Sequence, residues 1–293
     1  MADPPPKTSA RGTVARAVHA ARAVARLHGI RAGEPHLLAD CNNTVVRLGG
    51  LPLVAKVCDT TRRLSGSEAL ATELEVARHL VRAGAPLAAP SSELPQKVHH
   101  HEEHALTFWR YHENDREAPA GPLQAGLALK EVHQALDSYR GPIPFFLDRQ
   151  VQRAAGVLTH PRALSSLPAA DRAFLTGEHS RLSSQILRRR LNCRALHGDP
   201  HRGNFLVVRG GCLMIDFESI CSGPLEWDLS ALPGSGAGLF PVDEELLALL
   251  RRLRSLCVAV WCHARSAWAP ELARVARFHL KLLREGTRDR THP

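Results

Sequence analysis

Between residues 43 and 59, apolar side chains dominate two short runs, Thr44–Leu48 and 51–57, separated by Gly49-Gly50. That dipeptide suits a tight turn, so the pair predicts a β-hairpin and the start of an antiparallel sheet. From 68 to 82 the spacing lengthens to that of a helix, with apolar residues at 70, 74, 77, 80 and 81 and a stop at Gly84. After prolines at 86, 90 and 95, an apolar and aromatic run at 105–111 predicts another strand. Upstream, Val14, Val18, Ala21, Ala25 and Leu27 form an amphipathic stripe and predict a helix over 13–27. Its Ala/Arg-rich start superficially resembles a transit peptide, but a stripe that can pack on a domain favours a structural helix behind a disordered tail of residues 1–12.

Beyond residue 111 helix signals dominate, over 126–136, 169–191, 244–263 and 271–283. The third is the clearest. Its apolar positions repeat at i, i+3 and i+4, and Asp243 with Glu244 and Glu245 supplies a cap and an acidic first turn. One compact β element interrupts the helices: runs 205–208 and 212–215 joined by Arg209-Gly210-Gly211. The pattern predicts an α+β chain, with a small N-terminal antiparallel-sheet lobe over 13–110 and a larger, mainly helical C-terminal lobe over 111–293. The four histidines at 99, 100, 101 and 104, beside Glu102 and Glu103, are expected to form a solvated loop between two strands.

Composition narrows the function. The formal net charge is +9, carried almost entirely by arginine, because lysine occurs only at 7, 56, 97, 130 and 281. Lysine scarcity draws attention to Lys56, a lone charge inside an apolar strand that requires a partner. The arginines are scattered among acidic neighbours, with no aromatic-interleaved basic patch, so no nucleic-acid partner is expected and none of protein is evident. No apolar stretch reaches the ~18 residues of a membrane span. The seven cysteines form no C-x-x-C pair and read as reduced thiols of a cytoplasmic protein. Cys257, Cys262 and His263 lie in an apolar run and are read as helix packing, not as metal ligands.

The hairpin at 205–215 returns the chain on itself. Asn204 just before it and Asp216 just after it are therefore expected at the same end. An amide oxygen and a carboxylate are hard ligands of the kind Mg²⁺ prefers. A second carboxylate, Asp199, lies one short loop upstream and can accept a hydroxyl proton.

The motif His197-Gly198-Asp199-Pro200-His201-Arg202-Gly203-Asn204, followed by Ile215-Asp216-Phe217-Glu218, resembles the aminoglycoside phosphotransferase and choline kinase superfamily. The resemblance covers roughly 38–230. It implies a bilobal, protein-kinase-like fold, with Asp199 as catalytic base and Asn204 and Asp216 as Mg²⁺ ligands. Leu53-Val54-Ala55-Lys56-Val57 is similar to the strand whose lysine contacts nucleotide phosphates. Glu73 then matches the acidic partner on the first large helix, with Glu75 the alternative. The segment 106–111 resembles the strand entering the hinge, where Trp109 and Tyr111 would border the base, and Asp228 resembles an aspartate supporting the catalytic loop. The phosphate loop would fall at 39–44. It has no repeated glycines here, leaving Asn43 and Thr44 as contributors.

The resemblance implies Mg²⁺-dependent transfer from ATP, or GTP, to a hydroxyl of a small molecule such as an aminoglycoside, another antibiotic or a metabolite. A protein kinase shares the same residues, but Asp216 is followed by Phe217-Glu218 and lies too close to Asp228 for an activation segment. A nucleotide-binding pseudoenzyme would be expected to lack one of Lys56, Asp199, Asn204 or Asp216, and all four are present. Candidate acids for a cationic substrate are Glu113, Asp115, Glu117, Asp148 and Glu226, whereas the basic stretch 284–293 weakens, without excluding, an aminoglycoside substrate.

Overall fold

The computed structural model describes residues 10–40, 43–59, 66–114, 118–160, 163–164, 167–266 and 270–286. The first elements in the chain are α1 (Ala10–Leu27), β1 (Pro35–Asp40), β2 (Thr44–Leu48), β3 (Leu53–Asp59), α2 (Gly66–Arg82), β4 (His99–His101) and β5 (His104–Arg110). Helices α3 (Pro122–Leu136), α4 (Gln150–Thr159) and α5 (Ala169–Leu187) follow, then strands β6 (Cys193–Leu196), β7 (Phe205–Val208), β8 (Gly211–Met214) and β9 (Cys221–Pro224). The remaining helices are α6 (Leu225–Leu229), α7 (Glu244–Arg265) and α8 (Leu272–Glu285). Contacts divide the chain into two compact units, Met1–Arg116 with Val207–Glu218, and Glu117–Leu206 with Ser219–Pro293. A single boundary at 110/111 cannot express this partition, because the stretch around β8 returns to the first unit.

The first unit holds a five-stranded sheet of order β1-β2-β3-β5-β4, antiparallel throughout. Strand β3 reads as a continuous apolar run because both of its faces are covered. Leu53, Ala55 and Val57 pack with Val46, Leu48, Leu106 and Phe108 beneath Ala17, Ala21, Val24 and Ala25 of α1, while Cys58 packs with Leu70 of α2 and Ala105. The β2–β3 connection is longer than the expected tight turn. Pairing resumes only at Leu48↔Leu53, so the strand begins at 53, after Pro52, and not at 51. Gly49 is needed for close approach, since a Cβ there would lie 2.2 Å from the Glu34 carbonyl oxygen, and Gly50 takes φ 77.

The unit departs from the sequence reading in two further places. Strand β1 was not foreseen; it is an edge strand with mostly exposed side chains and thus carries no apolar alternation. The histidines at 99, 100, 101 and 104 are not a solvated loop but lie in strands β4 and β5, with His99 and His104 buried. His99 Nε2 lies 2.9 Å from the Pro95 carbonyl oxygen and its ring meets Phe108 edge-on, so its polar tip and apolar body are both accommodated.

In the second unit one core gathers α4, α5, α7 and α8 around Leu175, Leu182, Leu250, Leu256 and Val260, together with Phe146 and Trp227. Asp243 caps α7 by accepting from the Leu246 amide at 3.0 Å. Helix α3 starts at Pro122, four residues ahead of the expected 126, since proline suits the first helical position. Helix α5 stops at 187 instead of 191. Cys257 is buried and its thiol is pushed up to about 12 by that burial, as suits a packing residue. Among the described residues no helix is long and apolar enough to cross a membrane.

Candidate active site

In the first unit Lys56 is the centre of an ionic cluster. It is buried at the middle of β3, opposite Thr107 of β5. Its ammonium donates to Glu73 Oε1 and Oε2 at 2.9 and 2.8 Å and to Asp216 Oδ1 at 2.7 Å, and it lies 2.9 Å from Glu218 Oε1. Glu73 rises from the buried face of α2 and also accepts the Phe217 amide at 3.0 Å, whereas Glu75 points to solvent. Glu73 therefore ties β3 and α2 to the segment carrying Asp216. Burial works against the Lys56 ammonium, but Asp216, Glu73 and Glu218 outweigh it and hold its pKa well above the ordinary lysine value. The same burial pushes Glu73 up to about 8 against the pull of Lys56, with Asp216 and Glu218 adding to the rise. One ammonium cannot neutralise three carboxylates.

Asn43, at the start of β2, donates its side-chain amide to Glu218 Oε1, and its own Oδ1 is buried without a hydrogen-bond partner among the described residues. Thr44 Oγ1 donates to Asp40 Oδ1 at 2.9 Å. Asp216 itself takes φ 66, a left-handed conformation uncommon for a residue with a side chain and often found at functional sites.

In the second unit the loop between β6 and β7 is held from beneath by Asp228 of α6. That carboxylate is fully buried and accepts the His197 amide at 2.9 Å, the Gly198 amide at 2.8 Å and His133 Nε2 at 2.8 Å. Burial alone would raise its pKa, but the hydrogen bond and charge of His133, with His197 and Gly198, hold it below the usual carboxylate range. Gly198 has φ 90, and a Cβ there would fall 1.8 Å from the Ser219 carbonyl oxygen, so only glycine fits.

Asp199 follows immediately. Its Oδ1 lies 3.0 Å from Arg254 Nη1, and its backbone carbonyl accepts Asn204 Nδ2 at 2.8 Å. The bond orients Asn204 so that its amide oxygen is the remaining acceptor of the group. His201 caps the short 3₁₀ turn at Arg202–Asn204, accepting the Gly203 amide at 3.0 Å, which is a loop-packing role.

Residues 35–252 match the family described as "Phosphotransferase enzyme family", well over half of the chain. The chain belongs to that family. No curated protein matches it by sequence. The fold of the phosphotransferase family is met again in solved structures of low identity. The amicoumacin kinase hAmiN in complex with AMP-PNP, Ca²⁺ and Ami aligns with a TM-score of 0.62 at 15% identity, over 86% of this chain and 88% of that one. Choline kinase LicA from Streptococcus pneumoniae gives 0.65 at 14%, over 92% and 100%. The GDP complex of wild-type aminoglycoside 2'-phosphotransferase-IIIa gives 0.58 at 14%, over 90% and 96%.

Within this phosphotransferase, Lys56, Glu73, Asn43 and Asp216 are brought together in the first unit, and Asp199 and Asn204 in the second. Trp109 and Tyr111 are held by other partners. The Trp109 indole donates to Thr107 Oγ1 at 2.9 Å, and Tyr111 is covered by the Arg47 guanidinium at 3.9 Å while its amide is committed to the Pro52 carbonyl at 2.8 Å. Glu226, considered above as a substrate-facing acid, is buried and accepts the Asp243 amide at 3.0 Å, a structural role. Glu113 and Asp148 are exposed, and Asp115, Glu117 and 287–293 lie outside the described residues.

Two residues of consequence escaped the sequence reading. Glu218 completes the carboxylate set: it, Glu73 and Asp216 each offer an oxygen within 4.8 Å of the others. Hard oxygen donors with an excess of negative charge fit a Mg²⁺ ion, and since both oxygens of the buried Glu73 accept from Lys56, whereas Asp216 and Glu218 each meet it through one oxygen, Asp216 and Glu218 are the members suited to hold it. Arg254 is the second. Buried on α7, it donates to Asp199 Oδ1, to the carbonyls of Gly198 and Trp227 at 3.1 and 2.9 Å, and to Ser230 Oγ at 2.7 Å, with its guanidinium 3.9 Å above the Trp227 ring. The only signal for it was an arginine at an inward-facing position of an amphipathic helix.

Proposed function

We propose that the chain transfers the γ-phosphate of ATP or GTP, with Mg²⁺, to a hydroxyl of a small molecule, and that Asp199 accepts the hydroxyl proton. The observation that carries this reading is the state of the Asp199 carboxylate. Oδ1 is anchored by Arg254, whereas Oδ2 lies 4.0 Å from His201 Nε2, beyond hydrogen-bonding distance, on a side chain that is 31% exposed. An anchored carboxylate with an available oxygen is suited to general-base work.

In this reading Oδ2 takes the proton as the substrate oxygen forms its bond to the γ-phosphorus. The bond from that phosphorus to the bridging oxygen breaks and the nucleoside diphosphate leaves. Lys56, oriented by Glu73, contacts nucleotide phosphates; Asn43 and Thr44 border them, and Trp109 and Tyr111 border the base. Asp216 and Asn204, with Glu218 added, are the proposed oxygen ligands, and Mg²⁺ when bound offsets phosphate charge. A small substrate is favoured over a peptide because the stretch after Asp216 passes through a 3₁₀ turn at Phe217–Ser219 directly into β9 and α6. That leaves no length for a peptide-binding platform. The free thiols at Cys221 and Cys257 support a cytoplasmic setting.

The test is nucleotide consumption against aminoglycosides, other antibiotics, sugars and amino alcohols, run in parallel with Asp199→Asn. The variant should bind nucleotide and fold as the wild type while turnover falls by ~10²–10⁴. Near-full turnover by Asp199→Asn with any accepted substrate would refute the assignment. Phosphorylation of a generic protein with no small molecule turned over would refute the substrate class.

A further inference from the structure

We propose that His19, His101 and Glu102 form a binding site for a transition-metal dication of the Zn²⁺ class, which clips α1 to the β4–β5 hairpin. The three come from two elements remote in sequence. His19 lies on α1, His101 is the last residue of β4, and Glu102 opens the turn into β5. One nitrogen or carboxylate oxygen from each lies within 4.8 Å of the others. The two imidazoles are 5.5 Å apart between centroids and tilted by 49°, so they do not stack face to face. His101 Nε2 is buried and has no hydrogen-bond partner among the described residues, an expensive condition for an imidazole nitrogen that metal coordination would relieve.

The donor set decides the class of ion. Two imidazoles and one carboxylate suit Zn²⁺, Co²⁺, Ni²⁺ or Cu²⁺, whereas Mg²⁺ prefers oxygen ligands alone. Bonds of about 2.0–2.2 Å would draw the ligand atoms closer than they stand. His19 and Glu102 are exposed and so free to make that adjustment by side-chain rotation. A water would complete four-coordination. The position also gives the ion something to do. Strand β4 is an outer strand of the sheet, and α1 packs across β2, β3, β4 and β5. An ion shared by helix and hairpin would hold the cover of the first unit in place, and with it β3, which carries Lys56. It would act on stability and not on the transfer chemistry.

The experiment uses the full chain without a polyhistidine tag, stripped with EDTA and then titrated with Co²⁺ in millimolar Mg²⁺. Visible absorption bands should saturate at one Co²⁺ per chain, and Zn²⁺ should raise the melting temperature in the same buffer. His19→Gln and His101→Gln should each weaken Co²⁺ binding by at least ~10-fold, the lower end of what losing even a ligand's supporting partner costs. His100→Gln, on the same strand with an exposed side chain, should leave it unchanged. If His101→Gln does not fold, Glu102→Gln beside His19→Gln decides. No saturable Co²⁺ binding, or unaltered binding in His19→Gln, would overturn the site and leave the three as ordinary surface side chains.

Discussion

Replacing Asp228 with asparagine should be strongly destabilising, because its fully buried carboxylate accepts from three donors. Its oxygens receive the His197 amide at 2.9 Å, the Gly198 amide at 2.8 Å and His133 Nε2 at 2.8 Å, all buried. An asparagine amide can turn two ways, and both fail. With its NH₂ in place of Oδ1 it confronts the Gly198 N–H; with NH₂ in place of Oδ2 it confronts the His197 N–H, even if His133 changes tautomer to accept. Hydrogen bonds to a charged acceptor contribute ~1.5–3 kcal/mol net, and a buried unsatisfied amide costs ~1–3 kcal/mol. Losing the charge on all three bonds and orphaning one amide should therefore destabilise by about 3–5 kcal/mol, the range for breaking a buried ionic arrangement. At about 2–4 °C per kcal/mol that is a drop in Tm of roughly 10 °C, measured by circular dichroism.

The pH dependence supplies a second readout. The Asp228 pKa is depressed in the folded state, so its contribution is present above the ordinary carboxylate value and is lost as pH falls through the folded value. Wild type should lose stability steeply on acidification below about pH 4, and Asp228→Asn should show a shallower loss. A variant melting within about 2 °C of wild type, with the same acid profile, would refute the view that Asp228 supports the loop.

Arg254→Lys should retain charge near Asp199 but lose the fork that also binds Gly198, Trp227 and Ser230; kcat should fall by ~10-fold or more with KM changed little, and equal losses in both would refute a positioning role. Asp216→Ala should weaken Mg²⁺-dependent nucleotide binding more than Asn204→Ala, since it removes a full charge; equal affinity in Mg²⁺ and in EDTA, for wild type and both variants, would refute a metal role. Glu178 of α5 is tied to Arg181 and to Arg252 of α7, and its pKa is lowered chiefly by the Arg181 hydrogen bond. Glu178→Gln should lower stability by about 1–3 kcal/mol at neutral pH and flatten its decline as pH falls below the ordinary carboxylate value, checked by urea unfolding at pH 7 and pH 4.

Much of the candidate site was legible because its signals are local. The run at Thr44–Leu48 is β2 residue for residue, and the turn residues between 205 and 215 announced a reversal that the structure forms as β7 and β8. Lys56 was conspicuous for a physical reason that needs no fold: an ammonium in an apolar strand must find a counter-charge. Glu73 was preferred over Glu75 by resemblance, and the structure makes the choice by helical phase, turning Glu73 inward and Glu75 to solvent.

What the chain alone could not disclose depends on surfaces meeting. Strand β1 and the β6–β9 pair carry little alternation, since an edge strand is exposed on most positions and a four-residue strand spans too few to show a period. The histidines at 99 and 104 look hydrophilic by type, yet the pairing of β4 with β5 places both in the sheet, and Phe108 and Pro95 accommodate the His99 ring. Glu218 passes as an ordinary acid in a motif until three carboxylates converge on Lys56. Arg254 sits at an inward-facing position of α7, but its partners Asp199 and Trp227 come from other elements and are known only once these pack together. The sequence determined which groups need partners, because the cost of burying a charge belongs to the residue itself. Tertiary structure decided which partner each one found, because that depends on the phase and packing of elements far apart in the chain.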